Sequence, residues 1–188
     1  MLKITILYGA IREGRLSIRA ARAIDKALRD SGKADVTFID VKDYDLPLME
    51  NRLKDMKDPL PDVVKVGKMI EDADGLIFVT PEYNNSYSGP LKNTVDYYTK
   101  EWGKKPIGIV CGSNGKQGGI NASNLLQLLV LAIGAFPMPR KLLVPELDKS
   151  LDEEGKPLNE TMANNLDKFV KEYLWFAEAI VNQKKKDQ

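Results

Sequence analysis

The stretch "GLIFVTPEYNNSYSGPLKNTVDY", Gly75 to Tyr97, decides how the rest of the chain is read. Gly75 to Val79 is apolar without alternation, the pattern of a strand covered on both faces. Pro81 then stops the run, because proline has no N–H to give to a central strand. Glu82, Tyr83, Asn84, Asn85, Ser86 and Tyr87 follow, a cluster of amides, hydroxyls and aromatic rings. Ser88 as N-cap and Pro90 in the first turn open a helix near Gly89. A turn explains Pro81, Ser88 and Pro90 but not "EYNNSY". A flat heteroaromatic ring with polar edges would fit that lining: amides read its edges, and Tyr83 or Tyr87 offers a stacking face.

Outward from this unit, apolar runs alternate with helical patterns. "ITILY" (4–8), "VTFID" (36–40), "PIGIVCG" (106–112) and "KLLVP" (141–145) read as the other strands. Helical stripes run through Ile18, Ala21, Ile24 and Leu28; through Val63, Val66 and Ile70; and along "NLLQLLVLAIGA" (124–135). A last helix carries Met162, Leu166, Phe169, Val170, Tyr173 and Ile180. Five such units predict an α/β fold: a flavodoxin-like, doubly wound, five-stranded parallel sheet of order 2-1-3-4-5, with helices on both faces. The length of 188 residues suits a single domain over 1–188. "LDKSLDEEGKPLNE" (147–160) reads as a polar connection, and Lys184 to Lys186 as a solvated tail.

Composition narrows the chemistry. The net charge is +1 with the positives scattered, which argues against a nucleic-acid or membrane-surface partner. The chain has no histidine, which excludes histidine-based triads and zinc sites. Cys111 is the single cysteine, so no intrachain disulfide forms. Without a base beside it, Cys111 reads as a small buried residue rather than a nucleophile. No stretch reads as a leader or a membrane span, and a cytoplasmic location is expected.

In open α/β sheets, ligands sit outside the carboxyl ends of the strands at the switch point, between strands one and three. Three loops lie there. "YGAIREGRLSIRA" (8–20) offers Gly9, Gly14, Arg12, Arg15 and a capping Ser17, the makings of an anion cradle at a helix start. It is neither a dinucleotide fingerprint nor a Walker loop. The second is the opening stretch. "CGSNGKQGG" (111–119) holds four glycines in nine residues, more than a turn needs, and lets backbone approach a ligand.

Together the three loops resemble the NADPH-dependent FMN reductases of flavodoxin-like fold, a group that includes quinone, azo-dye and chromate reductases. "GAIREGRLS" (9–17) is similar to the family's phosphate loop, G-S-x-R followed by a serine. "PEYNNSYSGPLKNTVD" (81–96) matches P-E-Y-N-x-S-x-x-G-x-L-K-N-x-x-D almost throughout, and "GSNGKQGG" (112–119) resembles the third loop. The resemblance implies that Gly9, Arg12 and Ser17 hold the FMN phosphate. It implies that Pro81, Glu82, Tyr83 and Asn84 line the ring, with Ser113 and Gly115 closing the pocket. It further implies NADPH or NADH as donor, a small-molecule electron acceptor, no catalytic side chain beyond the flavin's own chemistry, and a homodimer or homotetramer.

Two positions depart from the pattern. Ala10 replaces a serine, and Arg19 stands where asparagine is common. Arg15 near the mouth is a candidate for a ribose phosphate. "YYTKEW" (97–102) is expected to expose aromatic surface at an interface. The alternatives are a flavodoxin-type electron carrier or a non-catalytic FMN-binding regulatory module. The first lacks support from an acidic composition or a Thr/Ser-rich phosphate loop, and the intact "PEYN" argues against the second.

Overall fold

Five parallel strands form one sheet in the order β2-β1-β3-β4-β5, as the alternation of apolar runs predicts. The structure is a computed structural model and describes residues 1–186. The strands are β1 (Leu2–Tyr8), β2 (Ala34–Asp40), β3 (Gly75–Pro81), β4 (Pro106–Gly112) and β5 (Phe136–Val144). The helices are α1 (Ile18–Asp30), α2 (Pro61–Glu71), α3 (Gly89–Asp96), α4 (Ile120–Ala132), a short α5 (Leu147–Ser150) and α6 (Glu160–Lys186).

Alternate residues of a strand face opposite sides of the sheet, and β1 shows the consequence. Ile4, Ile6 and Tyr8 pack with α1 and α6 residues such as Ile24, Leu28, Phe169 and Tyr173. Leu7 packs on the other side, with Val66 and Ile70 of α2, Leu91 of α3 and Leu126 of α4. All seven residues of β3 and of β4 are buried, so each strand is sealed from both faces.

Four expectations need correction. β5 starts at Phe136, five residues before the predicted Lys141, because Pro137 and Pro139 disguise its first half. Prolines are tolerated there since β5 is an edge strand with one side unpaired. The aromatics of "YYTKEW" are core: Tyr97, Tyr98 and Trp102 are buried, and Trp102 meets Phe78 edge-to-face at 5.6 Å. Trp102 also donates its indole N–H to the carbonyls of Val95 and Tyr98, each at 3.2 Å. Exposed apolar surface lies elsewhere, at Leu125, Leu128 and Leu131 on α4 and at Phe136.

The segment after β5 is likewise more than a connection. Leu147 and Leu151 are buried, and Gly155, at φ 84°, lies against the backbone of α1, where a Cβ would approach the Arg19 carbonyl to 2.7 Å. Arg19 donates to the carbonyl of Leu151 at 3.0 Å and Arg22 to that of Glu153 at 2.6 Å. Arg19 is thus committed to holding this segment. Lys184 to Lys186 are not a tail but the last residues of α6.

Lys105 closes the far end of the molecule. Its buried ammonium donates to the carbonyls of Ile70 (2.5 Å), Glu71 (2.7 Å) and Ala73 (2.7 Å), at and just beyond the carboxyl end of α2. Burial lowers this amine to about 8, and the nearby carboxylates of Asp74, Glu71 and Asp72 oppose the shift, so it is still largely protonated at neutral pH. Lys105→Met removes the ammonium from all three carbonyls at once. It should lower unfolding stability by about 2–3 kcal/mol, read as a lower urea midpoint at unchanged slope.

Candidate functional site at the carboxyl edge of the sheet

The sheet order reverses between β1 and β3, so the loops that follow them leave toward opposite faces and a crevice opens between. Gly9 continues β1 and donates its amide to the Val79 carbonyl at 2.9 Å. It must be glycine for packing: a Cβ there would collide with Cβ of Leu91. Ser88, at the start of α3, donates its hydroxyl to the Gly9 carbonyl and accepts from the Leu91 amide. The roots of the first two loops are therefore tied together.

Beyond Gly9 the backbone amides of the loop have no partners. Among the described residues, no amide from Ala10 to Ser17 donates a hydrogen bond. A run of unpaired N–H groups entering a helix start is an anion-binding arrangement. Arg12 is exposed and makes no hydrogen bond or ion pair among the described residues, so its guanidinium is available. Ser17 is buried, caps no amide of α1, and bonds instead to the Tyr8 hydroxyl at 2.9 Å. Burial pushes the Tyr8 phenol up to about 12, so it stays protonated.

Arg15 is not free. It forms a bidentate pair with Asp40 at the end of β2, donates to the Ala10 carbonyl, and lies 4.9 Å over the Tyr8 ring. The expectation that it greets a ribose phosphate is overturned by these contacts. Sequence reasoning missed Tyr8 and Asp40 in this loop. The available signal was a polar or charged residue at the carboxyl end of each of the two apolar strands.

The second loop resolves the run of amides. Tyr83 and Ser86 exchange both backbone hydrogen bonds, at 2.9 and 3.0 Å, around Asn84 (φ 49°) and Asn85 (φ 62°). Two left-handed residues at the tip of a two-residue turn favour asparagine, so the turn itself accounts for the pair. Pro81 is buried as the last residue of β3, while Tyr83 is partly exposed and Asn84 exposed at the crevice. Glu82 faces the other way: its carboxylate accepts from the Ala122 amide at 3.0 Å, in the first turn of α4. It supplies the cap that left-handed Gly119 cannot give, and binds the second loop to the helix after the third.

In the third loop, Ser113 accepts the Leu147 amide on its carbonyl and gives its own amide to Val144, at 3.3 and 3.1 Å. Gly115 is exposed, with no neighbour of its missing Cβ closer than the Ser113 hydroxyl at 3.7 Å, so a flat ligand can lie against its backbone. Cys111 is fully buried below, and burial raises its thiol far above the reactive range. The described residues hold no group of acidic, cysteine or histidine side chains placed for a metal.

Gly9, Arg12, Ser17, Pro81, Tyr83, Asn84, Ser113 and Gly115 thus lie on, or at the roots of, the loops that follow β1, β3 and β4 at the carboxyl edge of the sheet, and the Glu82 carboxylate is engaged by the Ala122 amide. The unpaired amides and free Arg12 suit a phosphate, and the open glycine backbone with Tyr83 suits a flat ring; FMN has both parts. These features define a flavodoxin-like α/β protein with three polar, glycine-bearing loops at its switch point.

Comparison with known proteins carries this further. Residues 2–148 match the family model of the NADPH-dependent FMN reductases, and the chain belongs to that family. An NADPH azoreductase of Bacillus sp. (strain OY1-2) is 29% identical over 177 residues, covering 92% of this chain and 94% of that protein. A 2-hydroxy-1,4-benzoquinone reductase of Burkholderia sp is 31% identical over 179 residues, with 92% and 94% covered. Among solved structures, the NAD(P)H:(acceptor) oxidoreductase FerB of Paracoccus denitrificans superposes with a TM-score of 0.84 at 24% identity, over 95% of this chain and 98% of that one. The chain is therefore an oxidoreductase of a family that uses FMN as cofactor and NAD(P)H as electron donor.

Proposed function

We propose that this chain passes electrons from NAD(P)H, through FMN held in the switch-point crevice, to small planar oxidants such as quinones, azo compounds or free flavin. The single observation that carries the assignment is the first loop: unpaired amides from Ala10 to Ser17 beside a free Arg12. The azoreductase and benzoquinone reductase relatives support the acceptor class. When bound, the flavin supplies the hydride chemistry, which is why a chain without histidine suffices.

The residues divide the work. Arg12 and the loop amides hold the phosphate by charge-assisted hydrogen bonds, with Ser17 beside them. Tyr83, the backbone of Asn84, Ser113 and Gly115 hold the ring, and Pro81 fixes where the second loop departs. Glu82 acts through position, by pinning that loop to α4. No helix among the described residues is long and apolar enough to cross a membrane.

The same chain pairs with a second copy through α4. Leu125, Leu128 and Leu131 recur every third residue, a spacing that puts them on one face, and they are 42%, 62% and 58% exposed beside Phe136 at 43%. Sedimentation should show an oligomer at micromolar concentration and a shift to monomer in Leu128→Glu; a monomeric wild type with flavin bound would remove this pairing.

Reduction is tested directly. The purified chain supplied with FMN should carry a flavin absorption band that NADPH or NADH bleaches without oxygen and that benzoquinone or an azo dye restores. Bound flavin that neither nucleotide bleaches would favour the electron-carrier reading instead.

Phosphate recognition has its own test. Arg12→Ala should weaken FMN binding roughly tenfold to a hundredfold, the equivalent of about 1.5–3 kcal/mol for a charged hydrogen bond. Riboflavin, which lacks the phosphate, should bind as before. Equal losses for both flavins in fluorescence titrations, or no loss for either, would show that the first loop is not the cradle.

A further inference from the structure

We propose that Tyr8 is a positioning residue for phosphate recognition: its hydroxyl donates to Ser17 Oγ and so leaves the Ser17 proton for the anion. The inference rests on the first loop being the phosphate cradle. Tyr8 and Ser17 are both buried, and their hydroxyl oxygens lie 2.9 Å apart. Two hydroxyls carry two protons, and this contact uses one. Neither oxygen has another partner among the described residues. The pair therefore holds one buried donor without an acceptor, and buried donors are rarely left so.

Which proton is left over follows from the two kinds of hydroxyl. A phenol is a stronger hydrogen-bond donor and a weaker acceptor than an aliphatic hydroxyl. Tyr8 then gives and Ser17 accepts. Ser17 is open to accept, because its side chain takes no bond from an amide of α1. Ser17 itself ends the run of unpaired amides that precedes the helix. Ala10 has no hydroxyl to offer in this loop, so a directed serine at 17 takes over that donor role. Tyr8 touches no ligand itself and acts through Ser17.

The test compares FMN with riboflavin in the full chain freed of flavin, for the wild type, Tyr8→Phe, Ser17→Ala and the double variant. Tyr8→Phe removes only the hydroxyl. It should weaken FMN about threefold to tenfold, the size of one neutral hydrogen bond, and leave riboflavin unchanged. Ser17→Ala should lose at least as much, and adding Tyr8→Phe to it should lose nothing more, since the two act as one unit. A loss shared equally by both flavins would mean that Tyr8 only shapes the fold and would overturn the inference. Unchanged FMN affinity in Tyr8→Phe, or an additive loss in the double variant, would overturn it as well. Arg12→Ala separates the two levels. If Arg12→Ala removes the preference for FMN over riboflavin and Tyr8→Phe does not, only the role of Tyr8 falls. If neither does, the phosphate assignment falls with it.

Discussion

The hydrogen bond from the Ser88 hydroxyl to the Gly9 carbonyl holds the functional edge of the molecule together. It joins the end of β1 to the start of α3 across the switch point, and it is reached only because Gly9 has no side chain to meet Leu91. Thr80 adds a second tie by accepting the Ser88 amide at 3.1 Å. With the roots of two loops fixed, the first loop leaves the sheet at one place and in one direction. Its amides find no backbone partners among the described residues, a run of free donors at the start of a helix.

Charge is distributed with the same economy. Arg15 and Asp40 are a largely buried pair, with side chains 15% and 11% exposed. Such a pair repays its desolvation only with good geometry and further hydrogen bonds. The bidentate contact, the Ala10 carbonyl and the Tyr8 ring supply these. The result is two neighbouring arginines with different roles: Arg15 braces the loop, and Arg12 stays uncommitted. On the other side of the crevice, Glu82 is bound to the start of α4, where the helix dipole favours a carboxylate. Arg15 and Glu82 are thus fixed by their partners, while Arg12 in the same first loop is exposed and without an ion pair among the described residues.

Much of this was legible in the chain before the structure. Strands sealed on both faces must be apolar throughout, so the runs at 4–8, 36–40, 75–79 and 106–112 announced a parallel sheet, and the three loops at their ends announced the crevice. The misreadings have physical causes. Prolines hid the start of β5, since an edge strand tolerates what a central one cannot. Tyr97, Tyr98 and Trp102 looked like surface because they sit among charged residues, whereas each ring turns inward and gives its polar atom to a carbonyl. The asparagines at 84 and 85 have a role the sequence did not reveal, since both adopt the left-handed backbone of a tight turn, which asparagine tolerates.

What the sequence determined by itself was the part governed by local rules: strand order through alternating apolar runs, the loop positions, and the motif that marks the family. What only the tertiary structure decided was the use of each charged and hydroxyl side chain. Arg12 and Arg15 are alike as letters, three residues apart in one loop. They differ because Asp40, brought beside β1 by the pairing of Tyr8 with Asp40 in the sheet register, captures one guanidinium and not the other. Likewise Glu82 belongs to a ring-binding motif by sequence, yet the packing of α4 beneath β4 presents it with an unpaired amide, and it caps. Long-range contacts alone select among a side chain's possible partners, because partners distant in sequence meet only when the sheet has formed.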